Sequence, residues 1–181
     1  MLSALFLVVF ELLLAERAVE LALNRRNTKR LAARGAVWLG QDGFGLILAA
    51  QAVLFAGTFA EVAFTPWTSG PRLFPWTWPA LVALALAQAL RYWSIATLGD
   101  RWNIRVVTLP GAPRIRGGPY RWFPHPNYVA VMSEAILLPL AFGAWAILVA
   151  AGLIQALALW RRVRLEEAAL GDTGEPGSRV A

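Results

Sequence analysis

The chain has no cysteine and a single histidine in 181 residues. Disulfides, thiol nucleophiles and cysteine-ligated metals are therefore excluded, and a histidine-rich metal site with them, so no metal is expected. Charge is also scarce: 15% of the residues are charged and 58% are hydrophobic. That is more apolar surface than one soluble core of this size would bury. The formal charge of +6 would suit nucleic acid on a soluble surface. Here the basic residues sit beside apolar runs and read as topology signals and lipid contacts, so no nucleic-acid partner is expected. Gly117-Gly118-Pro119 lacks the preceding strand and the spacing of a nucleotide-binding glycine loop.

What the sequence does have is apolar runs of spanning length, about 20 residues for a hydrocarbon layer of about 30 Å. Five can be drawn, near 2 to 23, 44 to 64, 77 to 98, 126 to 140 and 142 to 160. Met1 to Leu23 has no basic n-region, holds Glu11, Glu16, Arg17 and Glu20, and reads as the first span, not as a cleaved leader. The fourth run is short and ends at Pro139 with Gly143 close behind, predicting a tight helical hairpin with the fifth. Arg25, Arg26, Lys29, Arg30 and Arg34 follow the first run; Arg101, Arg105, Arg114, Arg116 and Arg121 follow the third; Arg161, Arg162 and Arg164 follow the fifth. By the positive-inside rule these stretches are cytoplasmic and the N-terminus lies outside. The expectation is an all-α integral membrane protein of about five transmembrane helices, with a cytoplasmic catalytic loop and a C-terminal helix extension. Residues 1 to 170 form one domain, and 171 to 181, rich in Gly, Pro and polar residues, form a disordered tail. Trp67, Trp76 and Trp78 on one side, and Trp38, Trp102, Trp122 and Trp160 on the other, fit interfacial belts. Ile104 to Leu109 and Arg114 to Arg116 flank Pro110-Gly111-Ala112-Pro113, the pattern of a small hairpin or of an irregular lid.

The lone histidine stands in Pro124-His125-Pro126-Asn127-Tyr128. Pro126 suits the first turn of a helix and Pro124 stiffens the approach, so His125 is held at a helix N-terminus. Helix capping is the plain alternative. Glu134 lies two turns beyond Asn127 on the same face; a carboxylate inside a short span is either functional or paired, with Arg91 a partner in reach. Glu166 and Glu167 follow a basic cluster, with Arg162 to Glu166 and Arg164 to Glu167 at pairing distance, the ordinary pattern of a solvated face. Arg17, Glu20 and Asn24 form a polar stripe that must face the bundle or a wet cleft, as must Gln88 and Arg91, unless Arg91 snorkels. Arg101 and Arg105 are placed to bind an anionic or phenolic group, although topology alone also asks for basic residues there.

With these pieces together the sequence resembles the isoprenylcysteine carboxyl methyltransferase family. That family's pattern is a Gly, a Tyr shortly after, an Arg-His-Pro-x-Tyr core, a helical hairpin, and a Glu-Glu pair with Leu three residues on. The matching strings are Gly118 to Tyr128, with Tyr120, His125, Pro126 and Tyr128 in place, and Glu166-Glu167-Ala168-Ala169-Leu170. Glu16-Arg17, Glu20-Leu21 and Arg25-Arg26-Asn27 look like the bacterial branch, some members of which methylate long-chain phenols or pyrones. Pro124 departs from the family's arginine, with Arg121 the nearest substitute; Ala130 stands for a common glycine. The resemblance implies S-adenosylmethionine held by Tyr120, His125, Pro126, Asn127, Tyr128, Glu166 and Glu167. It also implies a lipidic or prenylated acceptor from the membrane, in a bacterial cytoplasmic membrane with the site inside. Arginine orients a carboxylate acceptor, hence Arg101 and Arg105 as catalytic candidates; a phenol needs a base, hence His125 and Glu134. An NADPH-dependent membrane reductase of the sterol-reductase type, or a non-catalytic membrane protein of the same fold, are the alternatives.

Overall fold

The computed structural model describes residues 3–38, 44–64, 73–113 and 115–172, with side chains as far as 166. Trp67, Arg114, the Glu167 side chain and most of the predicted tail lie outside the described residues. Among the described residues there are five long helices: α1 Ala4–Ala33, α2 Phe44–Phe64, α3 Thr77–Leu98, α4 Pro126–Phe142 and α5 Trp145–Asp172. Of these, α2, the α3 segment to Arg101 and α5 are long and apolar enough to cross a membrane, and α4 is a shorter apolar helix. The apolar half of α1 carries Glu11, Glu16, Arg17 and Glu20, which sets it apart from those three.

Two boundaries differ from the sequence reading. The first span was expected to end near residue 23 and give way to a basic loop; instead α1 stays helical for 30 residues. No glycine or proline interrupts Ala4–Ala33, and its polar second half finds partners described below. The Ser3 hydroxyl caps its start, accepting from the Phe6 amide at 3.2 Å. The fourth helix was expected to stop at Pro139 but continues to Phe142. Gly143 stops it, with φ 71° in the left-handed region glycine favours. Its N–H bonds Leu140 O at 3.3 Å, and the Ala144 N–H bonds Pro139 O at 2.9 Å, the two bonds of a Schellman ending.

At this far end Phe6 and Phe10 of α1 pack against Phe55 and Phe59 of α2, and Phe6 meets Phe142 edge-on at 5.0 Å. The Glu61 carboxylate of α2 accepts from the Ala146 and Ile147 amides at 3.0 and 2.9 Å, filling unpaired donors at the start of α5. The Thr77 hydroxyl accepts from the Phe74 amide at 3.0 Å and donates to Ala141 O at 2.9 Å, tying α3 to the end of α4.

The opposite end holds the loops. A two-stranded antiparallel ladder pairs β1, Val37–Trp38, with β2, Val107–Thr108. β2 thus pairs across the molecule and not within a local hairpin, one of the two readings of this stretch. Pro110 and Pro113 supply no N–H for a local ladder, whereas the end of α1 delivers an extended segment in register.

Charged side chains join α1, α3 and α4 inside the bundle. Arg91 grips the Glu20 carboxylate with two N–H groups, one of them at 2.7 Å, and reaches Glu134 at 3.3 Å. Arg17 pairs with Glu20 at 3.0 Å and approaches Glu134 at 3.7 Å. Arg91 therefore does not snorkel; it is buried and paired.

Candidate active site

The segment from Gly99 to Thr108 is held from two sides. The Asn27 side chain, 1% exposed, donates to Gly99 O at 3.0 Å and Trp102 O at 2.8 Å. Asn24 accepts from the Ile104 amide at 2.8 Å, and Thr28 accepts from the Asn103 side chain at 2.8 Å. Asn27 and Thr28 follow Asn24 by three and four positions, so the three α1 residues share one face. From the other side Arg162 of α5 donates to Ile104 O. Arg30 anchors Asp100 at 2.6 Å.

Arg162 also connects this segment to the histidine loop. Its Nε donates to the Tyr128 hydroxyl at 2.6 Å and to the Glu166 carboxylate at 3.2 Å, and its guanidinium lies over the Tyr128 ring, 5.5 Å from the centroid. The Tyr128 hydroxyl in turn donates to Glu166. His125 stacks on Tyr128, with centroids 5.1 Å apart and planes 6° from parallel. Its Nδ1 stands 3.5 Å from the other Glu166 oxygen. His125 occupies the N-cap position with Pro126 in the first turn, and its side chain makes no cap hydrogen bond. The imidazole is therefore turned to Glu166 and not spent on the helix end.

Tyr120 comes in on a short 3₁₀ turn, Gly118–Arg121. Gly118 starts that turn at φ 54°, where an added Cβ would collide with the Thr97 hydroxyl, so only glycine lets the turn lie against α3. Burial, followed by the Glu166 carboxylate, pushes the Tyr120 phenol up to about 12. It stays protonated in the cell and can serve as a donor.

These groups line a cavity of about 280 Å³ that includes Arg101, Arg105, Tyr120, His125, Asn127, Tyr128, Arg162 and Glu166. The histidine loop and the acidic helix, about forty residues apart in sequence, thus meet in one chamber. The Asn127 Oδ1 is buried there without a hydrogen-bond partner. A second cavity of about 180 Å³ adjoins it, sharing Trp102, Asn103, Asn127, Tyr128 and Arg162.

Of the expected site residues, Arg101, Arg105, Tyr120, His125, Asn127, Tyr128 and Glu166 line the first cavity. Pro126 is buried behind them as the first residue of α4. Arg101 donates to Pro113 O at 2.5 Å, and Arg105 lies over the Phe44 ring at 5.8 Å. Glu134, the other catalytic candidate, is 0% exposed, lines neither cavity, and pairs with Arg91 and Arg17. Glu167 cannot be placed, its side chain lying outside the described residues. Arg121, the expected substitute for the arginine missing at 124, is exposed against Trp122. The buried arginine of the chamber is Arg162, 6% exposed, which looked like part of a solvated helix face. Trp102, expected in an interfacial belt, is 4% exposed and lines both cavities. Its partner Asn27 stands 75 positions away in the sequence, so no local signal marked it.

The sequence profile of the isoprenylcysteine carboxyl methyltransferase family matches residues 80–172, just over half of the chain. YpbQ, an uncharacterized protein of Bacillus subtilis (strain 168), is 30% identical over 167 residues, covering 92% of this chain and 96% of its own. No solved structure matches. With a profile spanning α3 to α5, the family's histidine and glutamate strings in place, and those strings meeting in one chamber, the chain belongs to the isoprenylcysteine carboxyl methyltransferase family.

Proposed function

We propose that the protein transfers the methyl group of S-adenosylmethionine to an oxygen atom of a hydrophobic acceptor, either a prenylated carboxylate or a long-chain phenol or pyrone. The observation that carries this reading is the chamber in which His125, Tyr128 and Glu166 converge with Arg101 and Arg105. It offers charge of both signs and four flat rings, those of Trp102, Tyr120, His125 and Tyr128, within one cavity. The cofactor carries an ammonium and a sulfonium, a carboxylate, a ribose and an adenine. Glu166 suits the cationic or ribose groups, Arg101 and Arg105 the carboxylate, and Tyr120, His125 and Tyr128 the adenine face. The unpartnered Asn127 Oδ1 is a buried acceptor that a ligand N–H or O–H would satisfy.

When bound, the cofactor supplies a methyl carbon activated by a positively charged sulfur. The chain's part is to align the acceptor and exclude water. Arg162 shares the Glu166 carboxylate with Tyr128, which fixes its position in the chamber. A carboxylate acceptor arrives ionised and needs only orientation by arginine. A phenol, with a pKa near 10, needs a proton acceptor; His125 lines the chamber and fills that role, while Glu134 does not reach it. The arginine-rich ends of the helices support a cytoplasmic site with the N-terminus outside.

Isothermal titration of the detergent-purified chain with S-adenosylmethionine tests the reading. Saturable binding is expected, weakened at least about tenfold, or about 1.4 kcal/mol, by Glu166→Gln and by His125→Ala with helicity unchanged. Saturable binding of NADPH instead would turn the assignment to a reductase, and binding of neither would leave a non-catalytic membrane protein.

A further inference from the structure

The exposed face of α3 carries Val82, Leu86 and Trp93. They fall at i, i+4 and i+11, on one side of the helix, within a segment long and apolar enough to cross a membrane. Trp93 lies about 24 Å along the helix from Thr77, close to the loop-end boundary of a hydrocarbon layer about 30 Å thick. The histidine loop continues this face. Trp122 meets Trp93 edge-on, with centroids 5.7 Å apart, and Trp122 and Phe123 are 62% and 50% exposed. The turn before them sets the contact: an added Cβ at Gly118 would stand 3.2 Å from Trp93 Nε1. The Arg121 guanidinium lies over the Trp122 ring, 5.6 Å from its centroid. A guanidinium and two large apolar rings thus stand exposed at three successive positions. The next two residues, Pro124 and His125, line the cofactor chamber. Pro124 and Pro126 each fix a backbone torsion beside His125, so the place where Trp122 and Phe123 rest is passed on to the imidazole.

We infer that the bilayer is the outer support of the histidine loop, with Trp122 and Phe123 seated at the edge of the hydrocarbon layer and Arg121 on the phosphate of an anionic phospholipid. Aromatic rings settle at headgroup level, and a basic side chain there gains from anionic lipid. The lipid face of α3 runs onto these rings without a break, which commits the patch to the membrane and not to a soluble partner. Trp122 is then a positioning residue that acts on the chamber through His125. The seating itself stands on exposure, depth and charge; only the cofactor readout below rests on the methyl-transfer reading.

Because the chain has no cysteine, a nitroxide can be attached at one chosen position of the full chain in lipid nanodiscs. Phe123→Cys carries the probe, Leu86→Cys is the lipid-facing control, and Lys29→Cys, exposed on the basic end of α1, is the aqueous one. The label at 123 is expected to relax more with oxygen than with an uncharged, water-soluble nickel chelate, as at 86 and opposite to 29. Greater access to nickel at 123 overturns the seating. Replacing part of the phosphatidylcholine by phosphatidylglycerol should lower nickel access at 123, and Arg121→Gln should remove that response. A response that is absent in the parent, or that persists in Arg121→Gln, overturns the headgroup contact. Trp122→Ser should weaken S-adenosylmethionine binding about tenfold with helicity unchanged, Trp122→Phe should restore it, and Trp160→Ser, at another exposed tryptophan, should leave it as in the parent. Parent affinity in Trp122→Ser, or no rescue by phenylalanine, overturns the positioning role. A parent chain that binds no S-adenosylmethionine overturns the methyl-transfer reading instead, and the nitroxide, which needs no cofactor, still decides the seating.

Discussion

Glu166 meets three partners of different kinds: a phenol, a guanidinium and an imidazole. Arg162 makes that possible because its fork addresses several oxygens at once, Nε toward Tyr128 and Glu166 and Nη1 toward the Ile104 carbonyl. Lysine keeps the charge but offers a single point of donation. Arg162→Lys is accordingly expected to weaken S-adenosylmethionine binding at least about tenfold in the same titration, and wild-type affinity would contradict the role given to the fork. Tyr120 gives a pH prediction. Its folded pKa lies above that of the unfolded chain, so it contributes stability that is complete below about pH 10 and lost between about pH 10 and about 12. In ultraviolet titration of tyrosinate, the transition missing from Tyr120→Phe should sit near 12. A missing transition near 10 would show the phenol to be solvated.

At the scale of elements, the hairpin between α4 and α5 depends on Gly143. Its φ of 71° is costly for any other residue, and an added Cβ would stand 2.6 Å from the Phe74 ring. Gly143→Ala should therefore cost roughly 1–2 kcal/mol from the backbone alone, with a further loss from displacing Phe74, seen as a lowered thermal midpoint in detergent. An unchanged midpoint would mean the turn relaxes freely. This turn was legible, since a proline and a glycine at that spacing announce a helix end. The stopping residue was misplaced because a buried proline three residues before the end still lends its carbonyl to the Ala144 amide. The continuation of α1 was less legible: Arg25 to Arg30 look like a loop until Asn24, Asn27 and Thr28 are seen to hold residues 99–104. Helical periodicity shows that such residues share a face, but not what they face.

Across the whole molecule, one buried cluster ties α1, α3 and α4 beneath the site. Arg91 is its central cation, and removing it would leave the buried Glu20 and Glu134 with Arg17 as their one remaining cation among the described residues. Arg91→Met is expected to cost about 3–5 kcal/mol, and the double variant with Glu20→Met should recover part of that in the same denaturation assay. Equal losses in both would remove Arg91–Glu20 as the governing pair. The sequence by itself determined the membrane class, the apolar runs that become helices, and the histidine and glutamate strings, because hydropathy, periodicity and local motifs are properties of neighbouring residues. Tertiary structure alone decided that Glu134 is paired away from the chamber and that Arg162 lines it. It also decided that Trp102 is a wall and not an anchor, and that β2 pairs with the end of α1. Each depends on which distant side chain lies within hydrogen-bonding reach, and packing of helices far apart in sequence sets that distance.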